Sequence, residues 1–410
     1  MKNKKAMQRK RLSMLSVCLI TVLCIMFCES VKSQKKVDEK YLDSTMLHYL
    51  NTTKMAGVAG AIILKDEVVW MNGYGLADKE RQIPFTSETI MNPGSIAKTM
   101  TGVCLMKLVE ENKLSLDEDI NRYLPFKVIN PYFPKEKITL RMIATHSSSL
   151  ADRMPFYSDS TFFTEGNSPE PLGEFLKNYF VHGGKYYNDA NFYQTKPGTY
   201  WEYSNIAAGL AGYIVELAAG KKLNEYSREI VFKPLGMNNS GWFLPEINRL
   251  KHASLYHNKG ETTIQIPLYE MITYPDGGLR TSVDELSKFF VMLLNDGRYK
   301  NKQVLKPATI QQMQTLQFTE ANKPANINLS EKNEGIFWRT KYNVTLLGHG
   351  GNDFGVKALM LTDMKKSVGI VLFTNTEDSD PKRNNGFFLL FEALLEYALK
   401  LNTTQIARSK

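Results

Sequence analysis

Along this 410-residue chain the spacing of apolar positions changes from strand-like to helical and back again. Leu42, Met46 and Leu50 recur every four residues, which predicts a helix over 41–51. The unbroken run Val58–Leu64, the polar turn Lys65-Asp66-Glu67 and the run Val68–Met71 predict a hairpin. From Ile96 to Val109 the period turns helical through Met100, Val103, Cys104, Met106 and Leu108. A second helix is predicted over 204–219, through Ile206, Leu210, Ile214, Val215 and Leu217, stopping at Gly220. Ser282-Val283-Asp284-Glu285 reads as a capping box ahead of Phe289, Phe290, Leu293 and Leu294. After residue 335 short strands follow closely, at Phe337–Arg339, Val344–Leu347, Val356–Leu361 and Val368–Phe373. A last helix is expected from Phe387 to Leu401. Strands at both ends and helices between them indicate an α/β protein. One sheet is built from both chain ends and flanked by helices, with a mostly helical lobe inserted. Residues 319–334 are polar and read as a surface loop, and residues 151–200 are dense in Phe and Tyr.

The N-terminus stands apart from this pattern. A basic head precedes an apolar run from Leu12 to Cys28 and then polar Glu29 and Ser30, the order of an export signal. The run is long for a signal core and short for a span, so residues 1–33 are either a cleaved signal peptide or an N-terminal membrane anchor. Residues 34–40 then serve as a linker, and 41–402 as the folded domain. Phe27 before Cys28 and Leu23 before Cys24 disfavour lipidation. The segment also accounts for most of the net charge of +9. It holds seven Lys/Arg and one acid, so the 51 basic and 42 acidic residues fall to 44 and 41 without it. A remainder of +3 gives no basic face for nucleic acid. Three of the four cysteines lie in the same segment, leaving Cys104, which falls on an apolar helical pattern and reads as a buried small hydrophobe.

Three short motifs carry chemistry: Ser95-Ile96-Ala97-Lys98, Tyr203-Ser204-Asn205 and His349-Gly350-Gly351. Each has decoys, at Ser33 for S-x-x-K, Tyr49 and Tyr186 for Y-x-N, and His182 for H-x-G. Context separates them. Ser33 sits in the linker, whereas Ser95 follows Asn92-Pro93-Gly94 and opens a helix, where free N–H groups and the dipole favour an anion. Lys98 lies three residues on, on the same helix face, and is placed to take the serine proton. Tyr203 could pass that proton to a leaving group, and Asn205 could hold Lys98 or a substrate amide. Two glycines after His349 let a backbone approach closely, and the N–H of Asn352 beyond Gly351 would join that of Ser95 as an oxyanion donor. No G-x-S-x-G elbow and no HExxH occurs, and the six histidines are scattered, which sets aside a triad hydrolase and a metal hydrolase.

In this order the motifs resemble those of the serine β-lactamase and penicillin-recognising family, in its class C, D-alanyl-D-alanine carboxypeptidase and esterase branch. Leu114–Asp119, Tyr123-Leu124-Pro125, Leu140–Ser148, Pro234–Met237 and Gly277-Gly278-Leu279 agree with it, so the resemblance covers roughly residues 40–400. It implies an antiparallel sheet and a serine hydrolase that works through a covalent acyl-enzyme. Ser95, Lys98 and Tyr203 would be catalytic, and Asn205, His349, Gly351 and Asn352 would bind substrate or the oxyanion. No cofactor or metal is implied. Two departures stand out. Ser149 replaces the usual glycine of the Leu140–Ser148 stretch, which should alter a turn. His349 replaces the lysine of true β-lactamases, and Gly350 removes a hydroxyl.

The expected substrates are D-alanine-containing cell-wall peptides or small-molecule esters, with β-lactams as the alternative. An acylated, non-turning-over penicillin-binding sensor is the alternative of another class. The expected location is the periplasm or cell envelope, with residues 12–28 as the means of any membrane anchoring.

Overall fold

The computed structural model describes residues 37–164 and 170–408. Residues 1–33, expected to be a signal peptide or anchor, therefore lie outside the described residues. The first helix, α1, is Glu39–Thr52, capped by Asp38, whose side chain accepts the Tyr41 N–H. It begins two residues inside the stretch assigned as linker, because the Asp38 N–H also donates to the Tyr397 hydroxyl of the last helix at 2.7 Å.

Seven strands form the main sheet. From the N-terminal side come β1 (Gly57–Leu64), β2 (Glu67–Asp78) and β3 (Ile83–Pro84). From the C-terminal side come β4 (Arg339–Lys341), β5 (Leu346–Asp353), β6 (Val356–Asp363) and β7 (Val368–Thr374). The order across the sheet is β4-β5-β6-β7-β1-β2-β3, antiparallel throughout. The two chain ends meet where β1 pairs with β7, Ala61 opposite Val371.

These strands read as apolar runs because both faces are covered. Ala59, Ala61, Ile63, Val371 and Phe373 join the core that faces the inserted lobe. Their neighbours Val58, Ile62, Leu64, Ile370 and Leu372 join a second core with α1 and the last helix, α5 (Pro381–Arg408). Alternation along the strand sends successive side chains to the two layers.

Within the insertion, α2 (Ala97–Glu110) is buried from Ala97 to Met106. It lies against α3 (Asn205–Ala219), which Ser204 caps by accepting the Ala207 N–H and which ends at Gly220. The capping serine of α4 (Val283–Leu294) accepts the Glu285 N–H. The Glu285 carboxylate does not close the expected box. It accepts instead from the Asn239 N–H and the Ser240 hydroxyl. Cys104 is fully buried, and burial pushes its thiol pKa up.

Strand ends move most from the sequence reading. The strand expected to stop at Leu347 runs on through His349, Gly350 and Gly351 to Asp353. The glycines do not break it, since Gly350 and Gly351 stay in register with Leu359 and Ala358. The strand expected at Phe337–Arg339 starts at Arg339.

Truncating a side chain between the sheet and α5 tests this layering. Leu372→Ala removes a fully buried side chain and should lower the unfolding free energy by about 2–5 kcal/mol. Urea denaturation followed by circular dichroism measures it.

Candidate active site

Ser95 lies in a single 3-10 turn, Gly94–Ile96, that leads into α2. Its N–H is at a helix start, where no preceding turn supplies an acceptor. Gly94 has φ +54°, the left-handed region that favours glycine. The turn is pressed against β5. A Cβ on Gly351 would stand 1.8 Å from the Pro93 carbonyl oxygen and 3.2 Å from the Ser95 nitrogen. A Cβ on Gly94 would stand 3.1 Å from the Asn352 nitrogen. Only backbone fits between turn and strand, so the Asn352 nitrogen is set beside the serine turn.

Lys98 is fully enclosed. Its Nζ lies 3.2 Å from Ser95 Oγ, 2.7 Å from Asn205 Oδ1 and 2.8 Å from the Asp276 carbonyl oxygen. Two of these partners can only accept. A neutral amine would spend both its hydrogens on Asn205 and Asp276 and turn its lone pair to the Ser95 hydroxyl. The Asn205 amide cannot flip out of this role, because its Nδ2 donates to Asp152 Oδ2 at 2.8 Å. Asp152 also accepts from the Ser204 hydroxyl and from the N–H groups of Asn205 and Ile206 at 2.7–2.9 Å. One carboxylate thus caps α3 and fixes the asparagine that orients the lysine.

Tyr203 is half-buried, and Lys98 Nζ lies 5.0 Å from its ring centroid. The hydroxyl has no hydrogen-bond partner among the described residues. The ring is wedged between His146, centroids 4.2 Å apart, and the Arg339 guanidinium, 5.5 Å away. His146 Nδ1 accepts the Ser204 N–H at 3.3 Å, so this histidine belongs to the same assembly. At Ser149, where glycine is usual, the backbone is left-handed. Ser149 adopts φ +61°, the conformation a glycine would take freely, and its hydroxyl accepts from Asn130 Nδ2 at 2.9 Å.

His349 is buried in mid-strand. Its Nδ1 faces the Gly350 carbonyl at 2.7 Å, so the proton sits there and Nε2 keeps its lone pair. Burial, then the charges of Arg339 and Lys98, pushes its pKa well below the ordinary imidazole value. A neutral ring cannot supply the positive charge of the lysine it replaces. That charge comes from the neighbouring strand instead. Arg339 and Lys341 alternate onto one face of β4 and both line the cleft beside Ser95. Arg339 pairs with Glu334 at 3.1 Å. Burial, then the nearby Arg339, lowers the Lys341 pKa to about 8.

The cleft has a volume of about 560 Å³, with Ser95, Tyr203, Asn205, His349, Gly351 and Asn352 in its wall. All seven sequence-predicted residues therefore come together. Of the decoys, Tyr49 is within α1, Tyr186 donates to Glu170, and His182 packs on Tyr187. Ser33 lies outside the described residues. The aromatic stretch divides: Tyr157 and Phe162 line the cleft, while Phe156, Phe175, Tyr179 and Tyr186 pack on one another. Sequence reading missed Asp152, Asp276, Arg339 and Lys341, which belong to none of the three motifs. Asp276 does directly precede the Gly277-Gly278-Leu279 signature, so position alone could have flagged it. Among the described residues no group of three or more His, Cys, Asp or Glu is placed to hold a metal.

A helix-entry serine, its lysine and a glycine-rich strand edge, set between such a sheet and such a lobe, define the β-lactamase class of fold. The chain belongs to the Beta-lactamase family, which it matches over residues 42–395. It is 23% identical over 344 residues to Protein flp of Staphylococcus aureus, covering 82% of this chain and 63% of that protein. It therefore spans less than two thirds of that relative's length. In structure it is similar to D-amino acid amidase from Ochrobactrum anthropi complexed with L-phenylalanine. The TM-score is 0.69 and the identity 22%, over 88% of this chain and 98% of the amidase. It is also similar to EstCE1, a hydrolase with promiscuous acyltransferase activity. There the TM-score is 0.67 and the identity 17%, over 87% and 98% of the two chains. At these identities the structural likeness concerns the fold.

Asp152 gives a test of the orienting chain. Asp152→Ala leaves the four donors it serves without their partner, and should cost about 1–3 kcal/mol of stability. It should also lower kcat for any Ser95-dependent turnover by at least about tenfold, because Asn205 and Lys98 lose their fixed orientation. Thermal denaturation and steady-state kinetics measure the two effects separately.

Proposed function

We propose that the protein is an exported serine hydrolase of the D-alanyl-peptide carboxypeptidase or esterase type. The observation that carries this reading is Lys98 Nζ held between Ser95 Oγ and two obligate acceptors. In the proposed reaction Ser95 Oγ adds to the carbonyl carbon of an amide or ester and its proton passes to Lys98 Nζ. The carbonyl oxygen becomes negative and is held by the N–H groups of Ser95 and Asn352. Collapse breaks the bond to the leaving nitrogen or oxygen, which takes the proton by way of the Tyr203 hydroxyl. Water then attacks the acyl-serine, and the same groups return Ser95 to its starting state.

Carboxypeptidase chemistry leaves a carboxylate on the departing residue. Arg339 lies against Tyr203, the proposed donor to the leaving group, and Lys341 extends the same positive face. Their charges suit that carboxylate, where His349 supplies none. This supports a substrate with a carboxylate on its leaving group; the preference over a β-lactamase rests on His349 and Gly350 standing where β-lactamases carry a lysine and a hydroxyl. The family membership supports an acyl-enzyme route, and the amidase and the EstCE1 hydrolase give precedents on this fold for amide and acyl chemistry. Export to the periplasm or envelope, with residues 12–28 as signal or anchor, is part of the same proposal. It rests on the basic head and apolar run of the N-terminus.

A panel of a D-Ala-D-Ala peptide, a short-chain aryl ester and a cephalosporin tests it. Turnover of the peptide or the ester should exceed that of the cephalosporin. Ser95→Ala should reduce it by at least about a thousandfold. Unchanged turnover in that variant would sink the reading, and a single acylation burst without turnover on every substrate would point to a sensor.

The pH dependence follows from Lys341. Its pKa is lowered to about 8, so its charge is present below that pH and is lost above it. KM for a substrate with a carboxylate on its leaving group should therefore rise as pH increases through 8. KM for a neutral ester should not follow, and Lys341→Met should remove the difference.

A further inference from the structure

The cleft does not end at the strand that carries His349. β5 pairs with β4 only as far as Gly348, so its edge from His349 to Asp353 is open within the sheet. The wall of the cleft takes residues from both faces of that strand. His349 and Gly351 belong to the face that meets the serine turn, at Gly351. On the other face Gly350 pairs with Leu359 and Asn352 with Lys357. Leu359 belongs to the core shared with α5, and alternation puts Lys357 on the same side. Asn384, Phe387 and Phe388, one turn apart on α5, complete this arm of the cleft. Gly350 presents no side chain to it.

Lys357 is 6% exposed, and among the described residues it has neither a hydrogen bond nor a salt bridge. Burial pushes its pKa down, against the opposing pull of Glu377 and Asp378. Asp378 is taken by Arg383 at 2.8 Å and by Asn258 at 3.2 Å. Glu377 faces His257 Nδ1 and the Gly355 N–H, each at 3.4 Å. Asp353 is on the face of His349 and Gly351, and Asp276 is in the lobe beyond it, so neither stands on the Lys357 side of the strand. The Asn384 Oδ1 is buried and also has no partner. Half a turn of that amide presents its NH2 there instead. An enclosed ammonium without a partner is costly, and a ligand's carboxylate offsets that cost. The rings of Phe387 and Phe388 suit an aliphatic chain leading to it.

We propose that Lys357 and Asn384 form an anion subsite on the α5 side of β5, which receives a carboxylate borne by the acyl part of the substrate. Arg339, paired with Gly348, and Tyr203 against it mark the leaving-group side. Lys357 stands opposite Asn352, past the contact of the serine turn at Gly351, and so serves the acyl side. The substrate class is then esters and amides whose acyl chain ends in a carboxylate. The chain must be long enough to round one strand, a width of about 4.8 Å. This deepens the reading of Ser95 as nucleophile and rests on it.

Binding to full-length Ser95→Ala protein, measured by calorimetry at pH 7, tests the subsite. The probes are monophenyl adipate, with its acid on the acyl chain, 3-carboxyphenyl hexanoate, with its acid on the leaving group, and neutral phenyl hexanoate. Monophenyl adipate should bind at least about tenfold tighter than phenyl hexanoate. Adding Lys357→Met should abolish that gain, and adding Asn384→Ala should reduce it. Lys357→Arg keeps the charge and should retain most of the gain. Lys341→Met should instead weaken 3-carboxyphenyl hexanoate. Circular dichroism and melting temperature show whether each variant is folded. Should Lys357→Met unfold the protein, Asn384→Ala decides, and a gain unchanged there overturns the proposal. Equal binding of monophenyl adipate and phenyl hexanoate, no binding of any probe, or a gain that survives Lys357→Met also overturns it. So does a Lys357→Met variant that weakens only the probe with its acid on the leaving group. Failure of the nucleophile reading is seen separately, as ester turnover that persists in Ser95→Ala.

Discussion

A lysine amine enclosed completely by protein must be given partners, and the site is arranged around that requirement. Lys98 takes its contacts from three separate parts of the chain: Ser95 one turn before it, Asn205 at the head of α3, and the carbonyl of Asp276. Each contact constrains the segment that makes it. The start of α3 is held in turn by Asp152, which answers four donors there. The Tyr274–Asp276 turn is held by Lys98 through that carbonyl and by Thr101 of α2, whose hydroxyl donates to the Pro275 carbonyl at 2.7 Å. The interior of the helical lobe and the chemistry at Ser95 are thus parts of one hydrogen-bond network.

The second constraint is steric. The sheet has to deliver the edge of β5 to the serine turn closely enough for two backbone nitrogens to face one oxygen. A side chain on Gly351 would overlap the Pro93 carbonyl. The sheet can place that edge because it is gripped on both faces, by α1 and α5 on one side and by α2 and α4 on the other. Joining strands from both chain ends at the β1–β7 seam makes the position of His349 to Asp353 a property of the whole fold. The same chain that leaves the sheet after β3 returns to it at β4, with the serine helix between.

What could be read from sequence follows from range. Period and motif order are local, so the helices at 39–52 and 205–219, the hairpin and the seven residues that meet around Ser95 were legible. Where β5 ends was not, because pairing with β6 carries the strand past the two glycines that suggested a stop. Ser149 stands in the left-handed region without being a glycine, and the Asn130 contact to its hydroxyl is tertiary. Glu285 left its capping box for Asn239 and Ser240, a tertiary preference that no local pattern encodes. Asp152 and Arg339 were invisible for the same reason. Each is a single charged residue whose meaning appears only when a distant segment folds against it.

The substitution at His349 takes its sense from this wider frame. In isolation it removes a cation from the cleft. In the folded chain two cations stand on the adjoining strand instead, and they help to keep the imidazole neutral. A neutral histidine there presents an acceptor, Nε2, and leaves the charge to Arg339 and Lys341. Positive charge is thereby shifted toward the β4 side of the cleft, while the acids Asp276 and Asp353 occupy the other. Ser95 sits between a face that carries two cations and one that carries two acids whose pKa values burial raises to about 7 and about 6. The positive face attracts an anionic group of a ligand before any contact is optimised, and does so more strongly in a walled cleft than in open water. Motif order marks the residues that meet around Ser95; the strand-by-strand distribution of charge sets which end of the cleft favours an anion.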